Sequence, residues 1–494
     1  MRGPFIAIFS GIVVILLLTG TLILPDGWRQ NAPLLPSFKI DNIDCPVDFT
    51  DHLCVIPRQV ESLRKNTENW APIIQYKAKR NAKLYVNGQY VKNSDQLIVR
   101  PGIKSLPVEL RSGNYEERWT LYFTTLPVID IIADVIEPHV NHMGMMRLIV
   151  PGFKSSPEYL AIKQKIRGRS ALRDPKRPLR ISLFRQSRPL LGMRNDDDWI
   201  LDALWTDPSY IRNRLVFDLF RSMQGQNKTI GNASPDGRLV ELFLNNRYYG
   251  LFVLMEMFDR KLLNLEHNGV IYKAINSSFC DFNSSGPTRP EMQPETGFFI
   301  KHPKPYTDAD FDPLRNLIGF IANSNQDAFD KKIGGLMDIN NLIDHTLLIW
   351  AAGSRDNLTH NFYMAKNPST PIFMLPWDNE ISFGCNNEEK RLDPKHRLSD
   401  KANRLQQLLL KSPRFRTKIS KRWKELRKGL FSSESLVNRI IFYKRQLIDS
   451  GAADRDRQRW ERENIGSIDN EFDFMKQFIE ERMIFLDNMF LNKK

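Results

Sequence analysis

The sequence predicts an α+β protein in which a membrane-spanning helix and a small β-rich domain precede a larger mixed domain. Residues 4–24 are apolar and uncharged, residues 71–126 alternate between apolar and polar side chains, and the remaining chain mixes strand and helix patterns, with helices dominating towards the C-terminus. The predicted units are a transmembrane helix (1–24), a tether (25–70), a β-rich domain (71–126) and a mixed domain (127–494).

The N-terminal segment PFIAIFSGIVVILLLTGTLIL is long enough to cross a bilayer as one helix. Arg2 and the amino terminus precede it, so we expect a cytoplasmic N-terminus. No A-x-A cleavage pattern follows, which favours an uncleaved signal anchor of a single-pass membrane protein. The bulk of the chain would then be periplasmic or extracellular.

The composition is that of a folded protein with excess positive charge. Hydrophobic residues make up 41% and charged residues 26%, and 71 Lys and Arg against 57 Asp and Glu give a net charge of +14. The basic residues are not grouped with aromatic residues on a recognisable nucleic-acid module, so we expect no nucleic-acid partner. An anionic membrane surface or a phosphate-rich ligand fits this charge better.

The four cysteines suit an oxidising compartment without requiring one. Cys45 and Cys54 are close enough in sequence to close a small disulfide loop. Cys280 and Cys385 could pair or could be two buried thiols. No Cys or His spacing indicates zinc.

The β-rich domain contains the hairpin KLYVNGQYV, whose Asn87-Gly88 turn separates two alternating strands. Further strand patterns continue to Leu126. We expect a small immunoglobulin-like β-sandwich that serves as a spacer.

The mixed domain begins with strand patterns around a basic turn. Arg167, Lys176, Arg177 and Arg180 lie in this stretch. Several cations on extended strands can converge on phosphate groups, although solvated strand-edge charges are an equal alternative.

A helix is predicted after Asp207, which would cap it. Arg212 and Asn213 lie off its apolar stripe and could face a site or the solvent. A long apolar hairpin follows and ends at Glu256, which is either a polar site residue or a charge favoured at a helix start.

The most informative stretch is residues 341–384. It contains the pattern R-D-x-x-x-x-N, with Asp356 and Asn361, and then Asp378 and Glu380 one hairpin later. In protein kinases this spacing supplies a base Asp, a metal-binding Asn and a second metal-binding Asp. The alternative is that these residues merely cap turns.

Five N-x-S/T sequons are present, at Asn227, Asn232, Asn276, Asn283 and Asn357. A glycan at Asn357 would obstruct the predicted catalytic loop. Either the host leaves this site unmodified, as most bacteria would, or the catalytic interpretation is wrong.

Five segments in this order resemble the CotH spore-coat-type atypical kinases: RGRSALRDPKRPLRISL, DPSYIRNRL, LNNRYYGLFVLMEMFD, SRDNLTHNFYMAK and LPWDNEISFG. The resemblance runs from about Pro127 to the C-terminus. It implies a divergent protein-kinase-like domain with a helical C-terminal part, which uses ATP and Mg²⁺ or Mn²⁺ to phosphorylate protein hydroxyl groups.

The resemblance also implies roles for particular residues. Asp356 corresponds to the catalytic Asp, and the metal ligands correspond to Asn361, Asp378 and Glu380, the last in place of the family's Asp. The family's Lys-Lys pair corresponds to Lys176 and Arg177. The predicted cofactor-binding residues are Lys176, Arg177, Arg180, Arg212 and Glu256.

The sequence thus predicts a membrane-anchored bacterial phosphotransferase that moves the γ-phosphate of ATP to Ser or Thr hydroxyls of proteins outside the cytoplasm. The alternative is a catalytically inactive, surface-anchored adhesion or envelope- or coat-assembly protein that uses the same fold for binding.

Overall fold

The computed structural model describes most of the chain from residue 37 onwards. The described ranges are 37–58, 69–78, 81–153, 156–168, 170–223, 233–275, 280, 282–283, 297–386, 391–398, 402–462 and 465–491, with the backbone of 6–9, 12–16 and 22–23.

The described backbone before residue 37 is extended. Three short antiparallel strands are present, β1 (Ile6–Phe9), β2 (Ile12–Leu16) and β3 (Leu22–Ile23). The rest of the predicted transmembrane helix lies outside the described residues. Among the helices that are described, none is both long enough and apolar enough to span a bilayer.

Nine strands build the β-rich domain, and a shared apolar core joins its two sheets. They are β4 (Ser37–Ile40), β5 (Ile43–Asp44), β6 (Val47–Asp48), β7 (Leu53–Pro57), β8 (Ile74–Lys77), β9 (Lys83–Val86), β10 (Gln89–Val91), β11 (Ser105–Ser112) and β12 (Tyr115–Thr124). The sheet orders are β10-β9-β11-β12-β7-β6 and β5-β4-β8. Strands β4 to β7 therefore occupy part of the predicted tether, and this domain begins well before residue 71.

The first part of the mixed domain is a seven-stranded sheet that closes on itself in the order β13-β14-β15-β16-β19-β21-β20. Its strands are β13 (Val128–Ile132), β14 (His142–Ile149), β15 (Leu160–Ile166), β16 (Leu179–Leu183), β19 (Asp198–Asp202), β20 (Gly237–Leu244) and β21 (Arg247–Met255). Strands β17 (Arg188–Pro189) and β18 (Asn195–Asp196) form a separate ribbon, and helix α1 (Arg212–Ser222) follows β19.

The second part combines a four-stranded antiparallel sheet with helices around a large apolar core. The sheet order is β23-β22-β24-β25, from β22 (Val270–Ala274), β23 (Phe298–His302), β24 (Phe362–Lys366) and β25 (Phe373–Pro376). The helices are α2 (Asp312–Asn323), α3 (Gln326–Leu336), α4 (Ile339–Ala352), α5 (Arg404–Lys411), α6 (Pro413–Arg427), α7 (Ser433–Ser450), α8 (Ala452–Arg459) and α9 (Ile468–Phe490). This mixture of sheets and helices confirms the α+β class.

The β-rich domain packs directly on the closed sheet. Val55 shares a small apolar cluster with Val128 and Phe243. The backbone N–H of Tyr248 donates to Asp48 Oδ2 at 2.8 Å. Buried contacts of this kind fix the two domains relative to each other, unlike a spacer on a flexible linker.

The expected disulfide between Cys45 and Cys54 is absent. Both thiols are buried and linked by a side-chain hydrogen bond, and burial raises the pKa of Cys54. Cys280 Sγ lies 2.7 Å from the carbonyl oxygen of Gly297, whereas Cys385 Sγ lies 4.0 Å from that of Thr206. No disulfide joins these two cysteines either.

A buried ion pair ties helix α8 to the closed sheet. Lys176 Nζ lies 2.7 Å from Asp456 Oδ1, and each side chain is 1% exposed. Asp456 Oδ1 also accepts from the backbone N–H of Leu251 at 2.8 Å. This close approach requires Gly250, whose φ is +112° and whose missing Cβ would overlap with Asp456 Oδ1.

We expect Gly250→Ala to lower the free energy of unfolding by about 3 kcal/mol, because the added methyl group displaces Asp456 and leaves a buried lysine unpaired. Chemical denaturation measures the effect. Gly319→Ala is the control, since this helical glycine has open space around it and should be neutral or slightly stabilising. Equal stability of the Gly250 and Gly319 variants would contradict the assigned role of the ion pair.

Candidate functional site

The hairpin β24–β25 brings Asn361 and Asp378 together. Phe362 at the start of β24 pairs with Pro376 at the end of β25, so the residues just outside the hairpin are neighbours. The backbone N–H of Trp377 donates to the carbonyl oxygen of Asn361 at 3.0 Å, and Asn361 Nδ2 lies 3.5 Å from the carbonyl oxygen of Asp378.

The side chain of Asn357 holds these two segments together through hydrogen bonds. Its side chain is fully buried, and its Nδ2 donates to the carbonyl oxygens of Asn361 and, at 2.9 Å, of Trp377. Its Oδ1 accepts from the hydroxyl group of Ser354. A glycan on Asn357 is therefore incompatible with the fold itself, and the sequon carries no information about catalysis.

Asn361 and Asp378 both have φ of +56°. This left-handed region is uncommon for residues other than glycine, although Asn and Asp enter it more readily than other types. Backbone strain of this kind is found at functional sites, where the surrounding structure enforces it. Here the hydrogen bonds of Asn357 hold the backbone in these conformations.

A third acidic residue, Asp202, approaches from the closed sheet. Asn213 Nδ2 donates to Asp202 Oδ2 at 3.1 Å, and Asn213 Oδ1 accepts from the backbone N–H of Asn379 at 3.1 Å. Asn213 on helix α1 thus connects the end of β19 to the loop that carries Asp378 and Glu380.

The acidic groups raise one another's pKa. Burial raises the pKa of Glu380 well above its usual range, and the nearby carboxylates of Asp202 and Asp378 add to this effect. Desolvation by the surrounding protein raises the pKa of Asp378, while Lys273 and Arg167 oppose the rise. The carboxyl groups of Asp202, Asp378 and Glu380 therefore lie close enough to repel one another when they are charged.

Three cations form a group beside these acids: Arg167 after β15 and Lys273 on β22 lie near Asp378, and Lys301 on β23 lies near both of these cations. Arg167 and Lys273 lie 5.7 and 5.6 Å from the ring centroid of Trp377. Each of the three side chains is half-buried, and within the described part of the chain none forms an ion pair with an acid. Because buried cations are normally paired, this arrangement favours an anionic ligand.

Burial lowers the pKa of Lys273 to about 8, and Arg167 contributes to this shift. The pKa of Lys301 is lowered to about 7, again first by burial and then by Arg180, Lys273 and Arg167. The cations therefore lie close enough to repel one another, and a bound anion would relieve that repulsion.

Most of the cations predicted to bind phosphate already contact carboxylate or carbonyl oxygens of the protein. Lys176 is paired with Asp456, and Arg180 Nη2 lies 2.7 Å from Asp198 Oδ2. Arg177 Nε lies 3.3 Å from the carbonyl oxygen of Asp174.

Arg212 and Glu256 also have full sets of protein partners. Arg212 is completely buried between Asp207 and Glu471, and its Nε donates to the carbonyl oxygen of Ser382 at 2.8 Å, which holds the loop that follows Glu380. The carboxylate of Glu256 accepts from the backbone N–H groups of Arg194 and Asp236 at 3.1 and 2.9 Å. Both residues shape the site without offering a vacant hydrogen bond to a nucleotide.

The sequence reasoning missed Asp202, Lys273 and Lys301. Each is a charged residue within or at the end of an otherwise largely buried strand, in the segments DWILD, VIYKA and FFIKH. A charged residue beside buried apolar residues of the same strand is the signal that could have identified them.

The donor set suits a divalent cation bound together with phosphate oxygens. Asn361, Asp378 and Glu380 supply oxygen atoms, and a bound cation would relieve the repulsion between the two carboxylates. No group of three or more His, Cys, Asp or Glu residues in the described ranges has the geometry of a metal site formed by protein alone. Mg²⁺ commonly binds through one or two carboxylates, with substrate phosphates completing its shell.

A family model described as CotH kinase protein matches residues 165–486. The chain belongs to the CotH kinase family. The match includes Arg167, Lys273, Lys301 and the whole segment from Asp356 to Glu380, and it leaves out the β-rich domain. A search of curated proteins found no match.

We expect Asn357→Ala to reduce the free energy of unfolding by about 3 kcal/mol, because two carbonyl groups and the Ser354 hydroxyl lose a buried partner. Hydrogen exchange at Trp377 and Asp378 should accelerate. Asn323→Ala on exposed helix α2 is the matched control and should have little effect. Unchanged stability and exchange in the Asn357 variant would show that its hydrogen bonds do not hold the loop.

Proposed function

We propose that this CotH kinase family member transfers the γ-phosphate of ATP to a hydroxyl group of a protein Ser or Thr residue. The observation that carries the proposal is the group of three cations, Arg167, Lys273 and Lys301, which form no ion pair among the described residues and lie beside the acidic cluster. A triphosphate with its metal ion satisfies both halves of the site at once, since its oxygens neutralise the cations and the metal neutralises the carboxylates.

The residues have distinct roles in this proposal. Asn361 and Asp378, with Glu380, would hold Mg²⁺ or Mn²⁺, whose chemistry is to neutralise charge on the transferring phosphate. Arg167, Lys273 and Lys301 bind the phosphate oxygens and orient the donor. Asn213 holds Asp202 next to the loop that contains Asp378 through hydrogen bonds to both.

Asp356 positions the acceptor hydroxyl and takes its proton as the oxygen attacks the γ-phosphorus. The bond from that phosphorus to the bridging oxygen breaks, and ADP leaves with the negative charge. His360 Nε2 lies 3.8 Å from Asp356 Oδ2, so a second proton-binding group adjoins the proposed base. Catalysis depends chiefly on positioning and charge neutralisation.

The proposal retains the expectation that the chain is held at a membrane with its bulk outside the cytoplasm. Its support is the uncharged apolar composition of residues 4–24. The competing function, a binding protein without turnover, predicts nucleotide binding without phosphate transfer.

The test is incubation of the full chain with γ-labelled ATP and Mg²⁺ or Mn²⁺. We expect label on the protein itself or on a generic protein acceptor, reduced at least about 100-fold by Asp356→Ala and by Asp378→Ala. Asp134→Ala, an exposed acid outside the site, should leave transfer unchanged. Nucleotide binding without transfer would favour the inactive binding protein.

The cations yield a separate prediction about donor affinity. Lys301→Ala should weaken ATP binding about tenfold, measured by calorimetry. Because the free side chain has a pKa of about 7, its positive charge is present below that pH and is lost above it, so affinity should fall between pH 6 and 8.

Lys301→Arg separates this effect from the titration of ATP. Arginine stays charged throughout, so this variant should bind ATP with a smaller dependence on pH than the wild type. Identical pH profiles for the two proteins would exclude Lys301 from the donor site.

A further inference from the structure

The positive charge of the chain is concentrated on one pair of helices. Residues 404–428, which form α5, α6 and the residue after α6, contain ten Lys and Arg and one acid, Glu425. The net charge of the whole chain is +14, so this short region accounts for most of the excess. A feature so localised calls for an explanation of its own.

The inward-facing arginines of this region bind carboxylate or carbonyl oxygens of the protein. Arg422 Nε lies 2.7 Å from Asp344 Oδ1, and Arg427 Nε lies 2.9 Å from Asp487 Oδ1. Arg404 donates to the carbonyl oxygens of Ile321 and Ser324 at 2.8 and 2.9 Å. These arginines attach α5 and α6 to the helical core.

The outward-facing lysines are different. The basic face of α6 consists of Lys418, Lys421, Lys424 and Lys428, which recur at helical spacing and are all exposed. None of them has an ion pair in the part of the chain that the structure covers. The only nearby acid in this stretch, Glu425, lies 3.5 Å from Arg422.

The opposite side of α6 packs against the hydrophobic core. Phe415, Ile419, Trp423 and Leu426 are all buried. The helix therefore has no free apolar stripe to insert into a bilayer, unlike an amphipathic membrane helix. Any contact through the basic face must be electrostatic and superficial.

We propose that the basic face of α6 docks the protein on an anionic lipid surface. The four lysines of the basic face present point charges without the forked geometry of arginine, and no aromatic side chain lies among them. Two exposed arginines lie nearer the start of α6, and Arg414 Nη1 donates to the carbonyl oxygen of Asp330 at 2.8 Å. Nucleic-acid recognition relies on arginine forks and stacking, so a diffuse array of lipid phosphates fits better. The uncharged apolar residues 4–24 favour the same location.

The test compares binding of the full chain to phosphatidylcholine vesicles with and without about 30% phosphatidylglycerol. We expect the wild type to prefer the anionic vesicles, and the preference to decline between about 0.05 and 0.5 M NaCl. The triple variant Lys418→Gln, Lys421→Gln, Lys424→Gln should lose this preference by about a hundredfold, since each lysine near the surface contributes about a factor of five.

The matched control removes three exposed lysines from the β-rich domain, Lys77→Gln, Lys83→Gln and Lys92→Gln. It has the same net charge as the test variant and should retain the preference. Equal losses in both variants would mean that only total charge matters and would overturn the proposal. Wild-type binding to duplex DNA or RNA in preference to anionic vesicles would overturn it as well.

Discussion

The hydrogen bonds of one buried amide organise the candidate active site. Asn357 donates to two carbonyl groups, one beside each of the candidate metal ligands, and so joins the start of β24 to the end of β25. Because the amide is buried, removing it would take a buried partner from both carbonyls, and that of Asn361 would still accept from the backbone N–H of Trp377. This constraint explains how Asn361 and Asp378 keep backbone conformations that they would rarely adopt unaided.

Charge is distributed in two different ways in this molecule. At structural positions, several buried charges form ion pairs, as Lys176 does with Asp456 and Arg212 does with Asp207 and Glu471. At the site, acids also lie near acids and cations near cations, and these like-charge contacts cost stability although Arg167 and Lys273 partly offset the charge of Asp378. Proteins retain such unfavourable groupings where a ligand resolves them, and a metal-bound polyphosphate is the ligand with the matching charge pattern.

The sequence predicted the class of fold and the order of the main segments, because hairpin turns, alternation and helical stripes are local signals. It also placed Asn361 and Asp378 near each other, since a short hairpin separates them. It could not show that Lys176 pairs with Asp456, which is 280 positions later in the chain. Nor could it show that Lys273 and Lys301 form no ion pair with any residue that the structure describes. Whether a cation is paired depends on tertiary contacts, and local patterns contain no information about them.

The most direct test of this account is a crystal structure with Mg²⁺ and a non-hydrolysable ATP analogue. We predict phosphate oxygens within hydrogen-bonding distance of Lys273 and Arg167, a metal ion on Asp378 and Asn361, and an intact ion pair between Lys176 and Asp456. Phosphates bound instead by Lys176, with Asp456 displaced, would contradict the account, because the cations that are unpaired in the free protein would then not be those that bind the donor.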